Sequence, residues 1–594
     1  MTTPSAASVP WQLTGNHWLS VPCIHPADAS IHLVSVLHHG SKAALEFAGS
    51  PDWQAGRGPA LLRPTLKVDG ERRELGAGGM AWERAFAWIP SFACTAGDIA
   101  VNGTIWCPYS RDTDCAGMVY VLTLENRGSV RRELECAMEG VLGSRDLRVR
   151  TSRPVGDRNR ALLSDNVVVL EGERQPALAA LAIAGEDGTQ AAAQDGDDAS
   201  FALTRRLTLE PGARAELAFY LAAAPERDGA AAAVRAIRAR GWRGLFSATS
   251  ETLAALQQST GSESLDRLVN RNLVFAYFYS VARALDDAHF YIVHSRAPWS
   301  PHGVTIRDWT ALMWTIPAVQ LADGALAREL LLRMFELHGY WPGRGTNYLD
   351  GTLFASGFTL EGMACYALSL DRFIRDTGDD RVVEEPVVGE TMYLLAEEIG
   401  LRRHPRFPLY STDMDLGGNV AELPFSLHAN AVVAQALDVL KRTLDEDSAR
   451  RVEEPEVVRA AASRHFAAEA DGKGIFASSS DLAGRVSQAA PDNGSLAWLP
   501  AYDFVPRSDS TYRRTVRAMG EPAPLSLSEQ IGKLYGPDGE RVLEWLRRAP
   551  LDGGVAAAFT DSDGRAVDGR GDAALSGLLA YTVWYAAHVM GFSG

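Results

Sequence analysis

The chain has 594 residues, 46% of them hydrophobic and 22% charged, which excludes disordered and collagen-like classes. Its length exceeds what a single hydrophobic core sustains, so at least two domains are expected. A formal net charge of −16, without clustered Lys and Arg, argues against a nucleic-acid partner and fits neutral or cationic small molecules better.

The opening residues, MTTPSAASVPWQ, lack the basic start and apolar run of a leader, and no stretch of about 18 apolar residues could span a bilayer. A cytoplasmic protein with no membrane partner is therefore expected. The cysteines Cys23, Cys94, Cys107, Cys115, Cys136 and Cys365 form no CxxC pair and have no His-rich partner segment of zinc spacing. They read as buried reduced thiols, and no metal or other cofactor is expected.

From Val9 to about Ala224, short apolar runs of period two are broken by Gly, Pro, Asp and Asn, as in GMVYVLTLENRGSV and ARAELAFYLAAAP. This spacing predicts an antiparallel β-sandwich over residues 9–224. The turn-rich stretch from Gly185 to Ser200 reads as a surface hairpin or loop. At Asp228 the period changes to Ala- and Arg-rich helical text, a helical linker over residues 225–261.

Beyond Ser262 the chain becomes a succession of helical patterns separated by loops rich in Gly, Pro and Asp. Helices are expected near Ser264–Asp286, Trp309–Ala322, Ala325–Leu337, Leu360–Asp376, Arg381–Ile399, Leu427–Leu444, Glu456–Ala468, Ser495–Tyr502, Thr511–Met519, Leu525–Leu534, Gly539–Arg548 and Ala573–Met590. Such a series fits six helical hairpins closed into an (α/α)6 toroid over residues 262–594, with a pocket formed by the loops at one end. The expected fold class is thus a multidomain β + α chain, a sandwich followed by a toroid.

Three loops concentrate the chemistry. HFYIVHSRAPWSPHGVTIRDWTALMW brings together His294, Arg296, Trp299, His302, Arg307, Asp308 and Trp309 ahead of the second helix. Sugar recognition uses aromatic faces for the apolar side of the ring and planar charged groups for vicinal hydroxyls, and this loop holds both. Asp308 could instead cap the helix it precedes. HGYWPGRGTNYLDGTLFASGFTLEG adds Trp341, Arg344, Asp350 and Glu361, although Asp350 also suits a turn and Glu361 a helix dipole. YSTDMDLGGNVAELPFSLHAN supplies Asp413, Asp415, Glu422 and His428. Metal-free glycoside cleavage needs two carboxyl groups, and this third loop is the expected source of the acid.

The motifs SR-x-P, RD-W, LDGT with GF-x-LE, and TGD together resemble the six-hairpin (α/α)6-barrel glycosidases, in particular bacterial metal-independent α-mannosidase-like glycoside hydrolases, over roughly residues 265 to 440. The resemblance implies exo-acting, inverting hydrolysis of a terminal sugar, an α-mannoside or α-glucoside. It also implies a sugar-binding role for Arg307 and Asp308, an acid from Asp413 or Asp415, and a water-activating carboxylate in the loop before the last helix. That last loop reads DGGVAAAFTDSDGRAVDGRGDAALSG, with Ala556 and Ala557 where the resemblance implies a Glu. Asp350, Glu361 and Glu422 are then candidates for the base. Asp561, Asp563, Asp568 and Asp572 could also substitute, although DSDG suits a solvated turn. Two alternatives stay open: a catalytically altered sugar-binding or regulatory protein, and a carbohydrate lyase using His294, His302, Tyr348 and Arg344. The expected partner is a carbohydrate substrate, with homo-oligomerisation left open.

Overall fold

A computed structural model describes residues 9–174, 178–196, 199–488, 496–521 and 523–592. The first eight residues, read above for a leader, and the expected helix start at Ser495 lie outside them. The chain divides into two compact units. The first comprises residues 1–257 with 281–290 and 296–298; the second comprises 258–280, 291–295 and 299–594.

The first unit is built from three antiparallel sheets of six, eight and five strands. The two segments quoted above pair with each other: Gly117–Asn126 runs antiparallel to Arg214–Ala224, Gly117 opposite Ala222 and Glu125 opposite Arg214. Strand Gly117–Asn126 is buried at nine of its ten positions, as its near-continuous apolar text requires of a strand covered on both faces. Leu66, Leu134 and Leu203 of one sheet, Val34 and Leu45 of another, and Tyr120 and Leu221 of the third enter one common core. Each fully buried apolar side chain of this kind contributes about 1.5–3 kcal/mol. Gln190–Gln194 pairs antiparallel with Ala199–Leu209, so the turn-rich stretch is a hairpin arm.

The expected linker is two helices, Arg227–Arg240 and Trp242–Leu256. Ala230, Ala231, Val234 and Ile237 of the first are buried against strands Ala180–Gly185 and Arg214–Ala224, which makes it part of the first unit. Its Arg227 donates to the buried Glu171.

The second unit is helical with small antiparallel hairpins. Its helices start where short polar residues can occupy free N–H groups: Asp323 accepts from Leu326 N at 3.0 Å, Ser426 from Ala429 N at 3.2 Å, and Asp572 from Leu575 N at 2.9 Å. Helix Leu360–Thr377 ends at Gly378 in the left-handed region, φ 73°. Leu360–Thr377 packs on Leu427–Thr443, which packs on Pro455–His465, while Ala573–His588 packs on Glu263–Tyr279 and Ile316–Ala322. Ala573–His588 is buried continuously from Ala573 to Val583, as an apolar helix without a polar face must be. The segment after Arg307 is composite: Asp308–Thr310 is α-helical, Ala311–Thr315 forms a π-helical turn, and Ile316–Ala322 resumes the α-helix.

Two expected helices are shorter than their sequence pattern. The first stops at Tyr279, because the Ser280 hydroxyl donates to Val293 O at 2.7 Å and turns the chain away. The helix begun at Pro455 stops at His465, where Ala467–Ala470 pairs with Lys473–Phe476 in a hairpin.

Candidate functional site

Several helices of the second unit carry polar side chains on or next to their first turns, and these form a buried cluster. Asp308 lies at the start of its helix but does not cap it; its Oδ2 accepts from the Gly343 N–H, 2.8 Å away in another loop. Its second oxygen receives no hydrogen bond and stands 3.6 Å from His338 Nδ1. Burial pushes the Asp308 carboxyl up to about 7, against the pull of the Gly343 N–H and the Tyr366 hydroxyl. His338 is pushed down to about 4 by burial, with the charge of Asp350 working the other way, so near neutral pH its ring is uncharged. Its Nδ1 is 3.1 Å from the Asn347 amide nitrogen, which donates to it.

Glu361, in the first turn of helix Leu360–Thr377, lies 3.1 Å from Nδ1 of His428, in the first turn of Leu427–Thr443. Both side chains are buried. A carboxylate can only accept, so a hydrogen bond to an ionised Glu361 requires the imidazole proton on Nδ1. The His428 ring abuts Trp309 at 5.9 Å and Tyr502 at 5.3 Å, edge to face in both cases. Glu361 Oε2, His428 Nε2, Trp309 Nε1 and Asp308 Oδ1 are buried polar atoms without a protein partner. Each such group costs about 1–3 kcal/mol unless something hydrogen-bonds to it, so the cluster is suited to a ligand bearing several hydroxyls.

Asp572 caps the last helix and lies 2.9 Å from His294 Nε2. Burial pushes this carboxyl up, but the neighbouring His294 ring and the Leu575 N–H outweigh it and hold the carboxylate below its usual range. The His302 ring packs on that of His294 at 4.3 Å. Glu529, in the first turn of helix Leu527–Gly532, is pushed up by burial despite Lys533 3.8 Å away.

Of the residues singled out in the sequence, Asp308, Trp309, Glu361 and His428 come together. Arg307 is adjacent, its Nε donating to Thr346 Oγ1 at 3.1 Å and its Nη1 to the Leu416 carbonyl. Others are engaged by partners of their own. Arg296 belongs to the first unit, where its Nη1 donates to the carbonyls of Asn16 and His17, both at 2.9 Å, and so is occupied by backbone. Asp350 closes a turn, accepting from Thr352 N and Oγ1 at 3.1 and 2.7 Å. Asp413 is exposed and paired with Arg402 at 3.1 Å; Asp415 accepts from Asn419 N at 2.9 Å within its own loop; Glu422 accepts from Ser487 Oγ at 2.6 Å. Trp341 is 61% exposed, with the Arg344 guanidinium 4.2 Å above its ring. Trp299 is half-buried, its indole N–H without a partner. Asp561 accepts from Asp563 N and Arg565 N at 3.0 and 2.8 Å, the solvated turn anticipated for DSDG. Sequence reasoning did not single out Tyr366 and Tyr502, which lie inside helical text with nothing local to mark them, or His338, which opens the second quoted loop. Among the described residues no group of three or more His, Cys, Asp or Glu is placed to hold a metal ion.

This arrangement defines a class of protein: antiparallel sheets followed by paired helices whose first turns carry acidic, imidazole and aromatic groups. No family model and no curated relative matches the sequence. Solved structures do share the fold. A bacterial glucoamylase complexed with acarbose superposes with a TM-score of 0.60 at 10% identity, covering 99% of this chain and 96% of the other. A protein assigned as a kojibiose phosphorylase, from the human microbiome, gives 0.57 at 10% identity, over 98% and 86%. A metal-independent α-mannosidase from Streptococcus pneumoniae gives 0.47 at 11% identity, over 57% and 97%. The chain therefore shares its overall fold with the glucoamylase and with the protein assigned as a kojibiose phosphorylase. No helix among the described residues is long and apolar enough to cross a membrane.

Proposed function

We propose that the chain is an exo-acting, inverting glycosidase that releases a terminal sugar, an α-mannoside or α-glucoside, without a metal. The observation that carries this reading is the buried set of unpartnered polar atoms on Asp308, Trp309, Glu361 and His428. Two acceptors, an indole N–H and an imidazole nitrogen, flanked by aromatic rings, complement vicinal hydroxyls on a pyranose. The whole-length fold likeness to a glucoamylase supports the same class of substrate. In this reading the helices of residues 262–594 pair into six hairpins closing an (α/α)6 toroid behind a sandwich of residues 9–224, with residues 225–261 between them.

Arg307 and Asp308 hold the terminal sugar, joined by Glu361 and His428. The catalytic carboxyl pair is drawn from Glu529 and the loop bearing Asp413, Asp415 and Glu422. Asp413 or Asp415 remains the candidate acid, and burial pushes the Glu529 carboxyl up, which makes it a further candidate for that role. Inversion requires the two carboxyl groups about 6.5–9.5 Å apart in the substrate complex. A panel of aryl α- and β-glycosides, with the anomer of the released sugar followed by proton NMR, tests the reaction. Asp413→Asn, Asp415→Asn, Glu422→Gln and Glu529→Gln test the pair. Losing a catalytic carboxyl is expected to lower kcat about 10²–10⁴-fold, and near-normal rates in all four would sink the assignment.

A sugar-binding protein without hydrolysis is the second reading. It is favoured by Ala556 and Ala557, which are fully buried in the loop before the last helix, where the resemblance implies a glutamate. Saturable sugar binding with no turnover on any glycoside would select it.

A further inference from the structure

The loop before the last helix carries Ala556 and Ala557 where the resemblance implies the group that activates water. A different proton acceptor stands near the Asp308 cluster. His294 lies between the entry to the Asp308 helix and the first turn of the last helix: its N–H donates to Thr305 O at 2.9 Å, and its carbonyl accepts from Ala574 N at 3.2 Å. Further along, Gly577 faces Trp314 so closely that an added Cβ would stand 2.6 Å from the Trp314 carbonyl oxygen and 3.3 Å from the Ala318 side chain. Both helices therefore run away from His294 packed side by side, and Asp572 and Asp308 open them at the same end. Thr305 is three residues ahead of Asp308, a span of at most about 11 Å.

His294 and Asp572 are both buried, with Nε2 of the ring 2.9 Å from Oδ1 of the carboxyl. Although burial pushes the Asp572 carboxyl up, His294 and then His302 hold it low, so it is ionised near neutral pH. An ionised carboxylate at this distance favours the ring tautomer with its proton on Nε2. The Nδ1 lone pair, which has no hydrogen-bond partner among the described residues, is then left to take another proton. When it does, the contact with Asp572 becomes a buried ion pair, and opposite charges attract more strongly there than in water. The other titratable group against the ring is His302, 4.3 Å away. Trp299 Nε1 and Ser300 Oγ, on the same loop, are buried polar atoms without a protein partner, as in a site that a ligand completes.

We propose that His294, oriented by Asp572, takes the proton of the attacking water, the part of the reaction for which the last loop offers no glutamate. This rests on the glycosidase reading, puts an imidazole in place of one member of the carboxyl pair, and leaves the acid among the carboxyl groups named there. The water oxygen bonds to the anomeric carbon as the glycosidic C–O bond breaks. The water proton passes to His294 Nδ1, and the leaving oxygen takes the proton of the acid. Asp572 touches no substrate atom and is a positioning residue.

Turnover of α-glucosyl and α-mannosyl fluoride by the full chain, beside the aryl glycoside that the wild type cleaves best, tests the proposal. Fluoride leaves without a proton, so loss of the acid spares these substrates, whereas loss of the base impairs both kinds alike. His294→Gln is expected to lower kcat/KM about 10²–10⁴-fold on fluoride and aryl glycoside together. In the wild type the acidic limb of kcat/KM should fall about two pH units above that of a carboxylate base, and Asp572→Asn should move it down. Azide attacks carbon with no proton to lose, so in His294→Ala it should restore turnover at least about ten-fold, giving the glycosyl azide of inverted anomeric configuration. A pair needed only for folding gives no such rescue. If neither His294 variant folds, Asp572→Asn, which keeps a capping oxygen, carries the test, and an unmoved acidic limb would overturn the proposal. So would rates for His294→Gln within about three-fold of wild type on the fluorides, or a loss confined to the aryl glycoside, either of which leaves the glycosidase reading standing. No wild-type turnover of any fluoride or aryl glycoside fails that reading, and this proposal with it.

Discussion

Asp308 couples pH to the stability of its surroundings. An unfolded aspartic acid titrates near 4, whereas burial holds the folded one up to about 7. Below about pH 4 both states are protonated. Between there and about 7 only the folded chain keeps the proton, so stability is fully present at low pH and lost as pH rises through that window. At about 1.36 kcal/mol per pH unit, the loss is up to about 4 kcal/mol. Asp308→Asn, a near isostere that does not titrate, should flatten this dependence. Thermal midpoints at pH 5 and 7.5, compared between the two proteins, check it, and parallel slopes would remove Asp308 as the cause. Gly343 sets the same site from the other side. Its φ is 72°, and an added Cβ would sit 2.5 Å from Met363 N and Thr359 O. Gly343→Ala should cost more than about 1–2 kcal/mol from the left-handed backbone alone. It should also move the pH window upward, because the N–H that lowers the Asp308 pKa is displaced.

At the level of elements, the last helix is held by a side chain with two tasks. Asp572 caps Leu575 N and pairs with His294. Asp572→Ala removes a cap worth about 1 kcal/mol and leaves a buried partner alone, which brings the expected loss to about 3–5 kcal/mol. Urea unfolding of Asp572→Ala beside Asp572→Asn, which keeps a capping oxygen, separates the two tasks; equal losses would show that the cap contributes nothing. Helices of this kind were legible in the sequence because caps and apolar periodicity coincide, as at Ser426 and Leu427 or at Gly378. Their ends were less legible at Tyr279 and His465, where a hydroxyl bond to Val293 and a local hairpin override helix-forming text. The Asp308, Trp309, Glu361 and His428 cluster was legible because its members sit where polar, aromatic loops enter helices. Tyr366 was not, since within a long helical run the period does not distinguish a face turned to the site from one packed against a neighbour. Arg296 misled for a related reason: the carbonyls it serves are 280 and 279 positions away, and no local text announces them.

On the scale of the whole molecule, the first unit is not a single stretch of chain. Residues 281–290 and 296–298 belong to it, and Arg296 among them satisfies the carbonyls of Asn16 and His17. Arg148, itself paired with the buried Glu46, donates to the Arg296 carbonyl at 3.1 Å. A fragment of residues 1–261, cut where the sequence pattern changes, would therefore lack a buried arginine, leaving the Arg148 Nη2 group without its acceptor and two carbonyls without this donor. Such losses cost about 1–3 kcal/mol per group. The fragment should melt lower, or fail to melt cooperatively, compared with residues 1–300; equal circular dichroism melts would refute the role given to Arg296. The same interleaving bears on synthesis. As the chain emerges from the ribosome, the sheets can form before their last structural component exists. At about 5–20 residues per second, the additional forty or so residues postpone completion by a few seconds. During that interval the buried edge around Asn16 and Arg148 is open, which makes the nascent chain, rather than the finished protein, the form most exposed to chaperones and proteases.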